Sequence, residues 1–171
     1  MPQYFAIIGH NDNPIYEAEF ALPQLQSFPP DLKELNPFIL HASLDIIEDL
    51  QWQNNPQSET MTSGGGGFLR SRHSSTNDNC YLGKIDHFYG LAITAYLSYG
   101  NMKFLMIHGA SSSGSNTGTQ IDDVTVKSFY QEVHELYIKA LMNPFYQLNQ
   151  PITSPIFDSK VRALAKKYLV K

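Results

Sequence analysis

The sequence contains a single cysteine, Cys80, so no disulfide can form within the chain. Cys and His residues do not cluster at the spacing of a structural zinc site. Hydrophobic residues make up 42% and aromatic residues 12% of the 171 positions, which suits one domain that buries its own core. We therefore predict a single domain over residues 1–171, without metal or cofactor, in a reducing compartment.

An excess of positive charge and a long apolar run are also missing. The formal net charge is -4, which argues against a nucleic-acid binder that neutralises many phosphates. The amino terminus has no basic leader, and its apolar run over residues 4–8 is too short for a signal peptide or a membrane span. Pro2 stands where myristoylation requires glycine. These absences predict a cytoplasmic protein with no nucleic-acid partner and no transmembrane segment.

Hydrophobic patterning predicts two β regions. The continuous apolar run over residues 4–8 and the alternating pattern over residues 15–20 predict a β-hairpin with one central strand. Further runs over residues 80–88, 91–98 and 102–108, separated by short turns, predict a three-stranded meander. The chain is thus expected to supply five strands.

A first helix is predicted between these regions. Asn36 is the expected N-cap with Pro37 at the first helical position, and Asp31 is an alternative, earlier start. Helical spacing assigns the buried stripe to Phe38, Ile39, Ala42, Ile46 and Leu50, broadened by Leu44 and Ile47. The charged residues, including Asp45, fall outside this stripe.

Two more helices are predicted near the carboxyl end. One follows an Asp123 cap and ends before Asn143-Pro144, and the last begins near Ser154-Pro155. The element order is therefore ββαβββαα. A five-stranded sheet between helices, an α/β (α+β) fold, covers both faces of the most apolar strands.

Two polar segments interrupt this pattern. Residues 51–79 include four consecutive glycines and predict a disordered insertion. Residues 109–120 are rich in Ser and Gly and predict a flexible loop. A phosphate-binding loop could occur at this second position, between a strand and a helix, but Ser115-Asn116 replace the required Lys and Ser or Thr. The loop interpretation is favoured.

Two helical positions suggest metal chemistry without completing it. His134-Glu135 begins like a zinc-protease motif, but Ile138 stands at the position of the second histidine. His41 and Asp45 lie one turn apart and make only an incomplete ligand shell. A solvated helix face is the favoured interpretation of that pair.

Cys80 with His87 or His108 could form a nucleophile and base, but no feature orients the base or supplies an oxyanion hole. We favour packing roles for all three and keep an enzyme as an alternative hypothesis. The discriminating observation is whether replacing Cys80 with Ser alters function.

Two Asn-Pro-Phe sequences, at residues 36–38 and 143–145, resemble peptides bound by endocytic adaptor domains. Each coincides with a predicted helix boundary, which is sufficient reason for Asn and Pro. Basic residues cluster at the carboxyl end: Lys160, Arg162, Lys166, Lys167 and Lys171. Favourable placement against the helix dipole explains this cluster, and an acidic partner or membrane surface is the alternative.

At residues 5–17, FAIIGHNDNPIYE, the chain resembles the opening of the sedlin family, small subunits of the TRAPP vesicle-tethering complex. Further blocks resemble the family in the same order at residues 35–45, 142–146 and 154–158. The resemblance covers nearly the whole chain. The departures are the two long polar segments, which fall where loops are already predicted.

The resemblance implies a longin-like (SNARE-like) fold: a five-stranded antiparallel sheet with the first helix on one face and the last two on the other. It implies a role in traffic from the endoplasmic reticulum (ER) to the Golgi, peripherally at the cis-Golgi and ER. The complex activates an early-secretory Rab GTPase by nucleotide exchange. That activity belongs to the complex, so no residue of this chain is expected to be catalytic.

The resemblance also implies an adaptor that links the TRAPP core to larger peripheral subunits, including forms used in Golgi traffic and autophagy. Asp45 matches the family's acidic position in the first helix that is associated with this docking. Apolar contacts to the core are expected from Phe88, Tyr99 or Phe145. The alternative is a longin-type regulatory module that binds a membrane-fusion protein, although the sequence shows no coiled-coil heptads.

Overall fold

A computed structural model describes residues 2–21, 27–53, 80–109 and 122–169. The elements are β1 (Gln3–Ile8), β2 (Pro14–Phe20), α1 (Pro30–Gln53), β3 (Tyr81–Phe88), β4 (Leu91–Leu97), β5 (Lys103–His108), α2 (Asp123–Leu141) and α3 (Pro155–Tyr168). The predicted order ββαβββαα is confirmed. No described helix is both long and apolar enough to span a membrane.

The five strands form one antiparallel sheet in the order β2-β1-β5-β4-β3. β5 lies in the middle and β1 beside it, which explains why both strands are continuously apolar. Tyr89 and Gly90 join β3 to β4 with φ angles of 46° and 80°. Because Phe88 pairs with Leu91, these two residues form a tight hairpin turn of the kind that needs positive φ.

The alternation of side chains along the strands divides the core into two layers. Phe5 and Phe104 point to the face covered by α2 and α3, whereas Ala6 and Leu105 point to the face covered by α1. The predicted arrangement of one helix on one face and two on the other is therefore confirmed.

The prediction that α1 begins at Asn36 is wrong, and the earlier start near Asp31 is correct to within one residue. Pro30 is the first helical residue, so proline does occupy the first position, but seven residues earlier than Pro37. Pro37 lies inside the helix and leaves the Lys33 carbonyl without its usual donor. Both residues lie on the exposed side, where that carbonyl can be hydrated.

The predicted buried stripe of α1 is partly wrong. Ile39, Leu44 and Ile47 are buried as expected. However, Phe38 is 71% exposed and Ala42 is exposed as well. The stripe is completed instead by Asn36, Leu40 and Ser43. The Ser43 hydroxyl donates to the Ile39 carbonyl at 3.0 Å, which allows this polar residue to be buried.

The boundaries of the last two helices are close to prediction. Asp122 rather than Asp123 is the N-cap of α2, and the Asp123 carboxylate instead accepts a hydrogen bond from the Tyr81 hydroxyl at 2.8 Å. Ser154 caps α3 by accepting from the Phe157 N–H.

The two polar segments are only partly covered by the structure. α1 continues to Gln53, so the first three residues of the predicted insertion over residues 51–79 are helical. Residues 54–79 and 110–121 lie outside the described residues, and their predictions stay predictions.

Candidate docking face on helix α1

The side of α1 that points away from the sheet carries a row of exposed side chains. Phe38, His41, Asp45 and Asp49 follow one another at spacings of three or four residues, and all four are exposed. We call this row the α1 face. Asp45, the residue predicted to dock a partner, lies in its middle.

The Asp45 carboxylate is not used to hold the fold. No hydrogen bond or ion pair joins it to another residue that the structure describes. An exposed carboxylate without an internal partner contributes little to stability, so its charge is available to an incoming protein. Such a charge steers encounter and sets register more than it adds affinity.

A groove of about 180 Å³ lies beside the α1 face, between α1 and the β1–β2 hairpin. Its lining residues are Ala6, Ile8, Asp12, Pro14, Glu17, Pro37, Phe38, Leu40, His41 and Leu44. Most of these are apolar, and two are carboxylates. Because Phe38 and His41 belong to both features, the groove and the α1 face form one continuous surface.

This surface is predominantly acidic. α1 carries five carboxylates and one lysine. Beneath it, the buried ammonium group of Lys103 lies 2.6 Å from Asp12 Oδ1 and 3.9 Å from Glu48 Oε1. Lys103 thus offsets part of the acidic charge at one edge, while Asp45 and Asp49 have no such partner among the described residues. The surface suits a partner with a positive charge beside an apolar side chain.

The residues of the alternative enzyme hypothesis are not brought together. The Cys80 carbonyl accepts from Leu97 at one end of β4, whereas His87 and His108 both pair with Ala92 at its other end. Five residues of strand separate these ends by about 17 Å. Neither histidine can therefore act as a base for the Cys80 thiol in this structure.

His108 has a structural role. Its Nε2 lies 2.9 Å from the Thr94 hydroxyl, which also contacts the Tyr130 hydroxyl at 2.9 Å. Burial lowers the pKa of His108 to about 4, against an opposing effect of the Asp123 carboxylate. The imidazole is therefore neutral at physiological pH.

The structure does not complete the metal candidates. Within the described ranges, no group of three or more His, Cys, Asp or Glu residues could hold a metal ion. His41 and Asp45 are both exposed, and His134 packs against the rings of Tyr96 and Phe104. The phosphate-loop candidate falls almost entirely outside the described residues.

The two Asn-Pro-Phe sequences differ in presentation. Asn36 is fully buried within α1, so the first is not a free peptide. In the second, the Asn143 side-chain oxygen accepts from the Phe145 N–H at 3.1 Å, and Phe145 is 91% exposed. Phe88 and Tyr99, the other apolar candidates, are 40% and 80% exposed. All three candidate aromatics are thus accessible.

Sequence reasoning missed Phe38, which it assigned to the core. The spacing of Leu40 and Leu44 could have indicated the true buried side, since Phe38 lies on the opposite side of the helix from them. Of the basic cluster, Arg162 pairs with Asp158 and Lys167 with Glu132, both at 2.9 Å. These ion pairs within the chain account for two of the four basic residues of α3.

The fold and its exposed helix face define a longin-like α+β domain. The family model for sedlin matches residues 7–167, and the chain belongs to that family.

Three relatives are similar to this chain over all or nearly all of its length. The chain is 65% identical to trafficking protein particle complex subunit 20 of Saccharomyces cerevisiae, with all of both chains covered. It is 40% identical to the transport protein particle 20 kDa subunit of Schizosaccharomyces pombe, covering 99% of this chain and all of the relative. It is 30% identical to the probable trafficking protein particle complex subunit 2 of Drosophila melanogaster, covering 98% and 96%.

Proposed function

We propose that this chain is a non-catalytic adaptor subunit of the TRAPP complex. The observation that carries the proposal is the end-to-end similarity, at 65% identity, to a protein named as a subunit of such a complex. A match over both whole chains favours the same place in an assembly, because it includes the surfaces as well as the core.

The proposed role is vesicle tethering between the ER and the Golgi, on the cytoplasmic side of these membranes. The chain would link the core of the complex, which promotes nucleotide exchange on an early-secretory Rab GTPase, to larger peripheral subunits. These include the subunits of forms used in Golgi traffic and autophagy. The support for this finer role is family membership.

Asp45 is the proposed docking residue for the peripheral subunits. The support is its exposure, its lack of a partner among the described residues and its position beside an apolar groove. A partner that places a cation near Asp45 and an apolar side chain in the groove would gain both specificity and buried area.

The test is an affinity purification of the tagged chain from its own cells, in parallel with an Asp45→Lys variant. Co-purified proteins are measured by quantitative mass spectrometry. We expect the wild type to recover the TRAPP subunits and the variant to lose the peripheral ones selectively. The matched control is Glu34→Lys, the same charge change at an exposed position of α1 about 16 Å away.

Three results would count against the proposal. Recovery of every peripheral subunit by Asp45→Lys would reject Asp45 as the docking residue. Recovery of no TRAPP subunit by the wild type would reject the adaptor role. Recovery of a membrane-fusion protein in their place would favour the alternative regulatory module.

A further inference from the structure

A second surface, on the opposite side of the sheet from the α1 face, concentrates exposed apolar side chains. Twelve large hydrophobic residues are exposed in the described chain, and half of them lie between positions 138 and 156. They are Ile138, Leu141, Met142, Phe145, Leu148 and Ile156. Two of them, Phe145 and Ile156, border the same groove, and exposed apolar side chains beside a groove are typical of an interaction site.

A groove of about 440 Å³ runs between the end of α2, the start of α3 and the turn that joins them. We call it the α2–α3 groove. Phe145 and Ile156 line it and are 91% and 65% exposed, while Leu136 and Ile152 also line it and pack against the core. The groove is large enough for a bulky side chain of a partner.

The walls of the groove are held in place before any partner arrives. The Ile152 N–H donates to the Ile15 carbonyl of β2 at 2.8 Å, which ties the connecting turn to the sheet edge. The Tyr146 hydroxyl donates to the Gln150 carbonyl at 2.7 Å. A preformed groove loses less conformational entropy on binding than a mobile one.

The groove is lined by two cations, Lys139 and Lys160, and by no carboxylate. Lys139 makes only a long, exposed contact to Glu135, at 4.0 Å. Lys160 is exposed and has no ion-pair partner among the described residues. Both ammonium groups are therefore available to a partner's carboxylates.

We propose that the α2–α3 groove binds a segment of another TRAPP subunit in which an apolar anchor side chain is flanked by carboxylates. This inference rests on the proposed adaptor function, since an adaptor needs two surfaces. The α1 face is acidic and the groove is basic, so the two surfaces select different partners. They lie on opposite layers and can be occupied together.

A second copy of this chain does not suit the groove. The acidic α1 face of one copy could meet the basic groove of another only head to tail. Such a heterologous contact does not close on itself and would produce open polymers rather than a subunit of defined stoichiometry. The occupant is therefore a different chain.

The test uses the tagged full-length chain and the TRAPP subunits of its own cells, at two salt concentrations. We expect Phe145→Ala to weaken the recovery of one set of subunits about tenfold or more, as for a buried anchor at an interface. Lys139→Glu with Lys160→Glu should weaken the same set, more strongly at low salt. This set should differ from the subunits lost by Asp45→Lys.

Two variants serve as matched controls. Val124→Ala shortens an exposed apolar side chain at the other end of α2, and Lys166→Glu reverses a charge on α3 outside the groove. Both should recover all subunits at the wild-type level. Equal thermal midpoints for all variants would show that the losses are not due to unfolding, as expected for such exposed positions.

A photo-crosslinking amino acid at position 145 identifies the occupant within the assembled complex. A crosslink to a carboxylate-rich segment of another subunit would support the proposal. A crosslink to a second copy of this chain or to lipid would overturn it. Full recovery of all subunits by both groove variants would overturn the groove alone, whereas failure of the wild type to recover any subunit would overturn the adaptor function with it.

Discussion

The described side chains buried beneath α1 are mostly aliphatic, whereas half of those beneath α2 and α3 are aromatic. Among the residues whose burial the structure describes, the α1 layer buries one aromatic residue, Phe28. The α2–α3 layer buries Phe5, Tyr16, Phe20, Tyr96, Phe104, Phe129, Tyr130, Tyr137 and Phe157. The same strands supply both layers, so the difference comes from alternate residues along each strand and from the helices themselves.

Tyrosine hydroxyl groups in the α2–α3 layer form hydrogen bonds between its helices and the sheet. Tyr130 donates to the buried Thr94 carbonyl at 2.9 Å, and Tyr16 donates to Asp158 at 2.8 Å. These bonds join helices to strands. In the α1 layer, the hydroxyl of Ser43 bonds within its own helix. Buried hydroxyl groups thus help to position α2 and α3, whereas polar links of α1 to the sheet and its turns, such as Gln51 to Asn101 and Lys33 to Glu19, lie at the surface.

The outer surfaces of the two layers differ in charge as well. α1 carries five carboxylates and one lysine, whereas α3 carries one carboxylate and four basic residues. Charge does not set the fold, but it determines which partners approach each side. The two layers therefore differ both in how they are held and in what they can bind.

The largest loss of stability is expected when a side chain at the centre of the α2–α3 layer is truncated. Phe129 is fully buried and its ring centroid lies 5.4 Å from that of Phe5. We expect Phe129→Ala to lower the free energy of unfolding by about 3–5 kcal/mol, through lost burial and a cavity. Val124→Ala, at an exposed position of the same helix, should change it by less than about 0.5 kcal/mol. Urea denaturation of both variants gives the measurement, and similar small losses would contradict the prediction.

The next largest effect is a pH dependence that originates at His108, which contacts Thr94 in the α2–α3 layer. The pKa of His108 is about 4 in the folded chain because of burial, below its ordinary value of about 6.5. The unfolded state therefore binds the proton more readily, and stability present above about pH 6.5 is lost as the pH falls towards 4. We expect a loss of about 3 kcal/mol by pH 4.

A His108→Gln variant is the control for this pH dependence. Both proteins contain the same carboxylates, including Asp123, so the difference between their stabilities isolates the imidazole. Unfolding by denaturant is measured at several pH values between 7 and 4. Identical slopes for the two proteins would show that His108 does not cause the loss.

A smaller change, an increase in the free energy of unfolding, is expected for a substitution in the α1 layer. Asn36 is fully buried and neither polar atom of its side chain has a hydrogen-bond partner among the described residues. The folded chain therefore takes this amide out of water without giving it new hydrogen bonds, which destabilises the fold. Because a leucine side chain of similar size has no polar group to desolvate, Asn36→Leu should raise the free energy of unfolding by about 1–2 kcal/mol. Asn36→Asp, which buries a charge, should lower it. Destabilisation by both substitutions in the same denaturation assay would show that the amide has a partner.

The smallest effect compares one hydroxyl from each layer. Tyr130→Phe removes a bond between α2 and β4 and should cost about 1 kcal/mol. Ser43→Ala removes only a bond within α1 and improves helix propensity, so it should be close to neutral. Thermal unfolding of the two variants makes the comparison. Equal losses would mean that both layers depend on their polar contacts to the same degree.

Most of the fold could be predicted because its strands and the last two helices have strong local patterns. The interior strands are continuously apolar, and Ser154-Pro155 marks the start of α3. α1 was harder because apolar residues occur on both of its sides. Phe38 and Leu40 are similar in hydrophobicity, and the buried positions of Asn36 and Ser43 do not stand out in a hydrophobic pattern.

The candidate sites were predictable only in part. Asp45 could be placed outside the buried stripe from its helical position alone, and its docking role stays a prediction. The groove beside it combines α1 with residues of the β1–β2 hairpin, which are about thirty positions away in the chain. The exposure of Phe145 also depends on its surroundings, since its local sequence indicates only a turn after a helix.

By itself the sequence determined the kinds of element, their order and the two-sided core, because these follow from periodicities within a few neighbouring residues. The tertiary structure decided which side of α1 is buried, which aromatic side chains remain exposed and how distant segments form the two grooves. These features depend on which surfaces meet after the sheet has formed. A helix with apolar residues on two sides can bury either one, and the choice is made by the strand residues that pack against it.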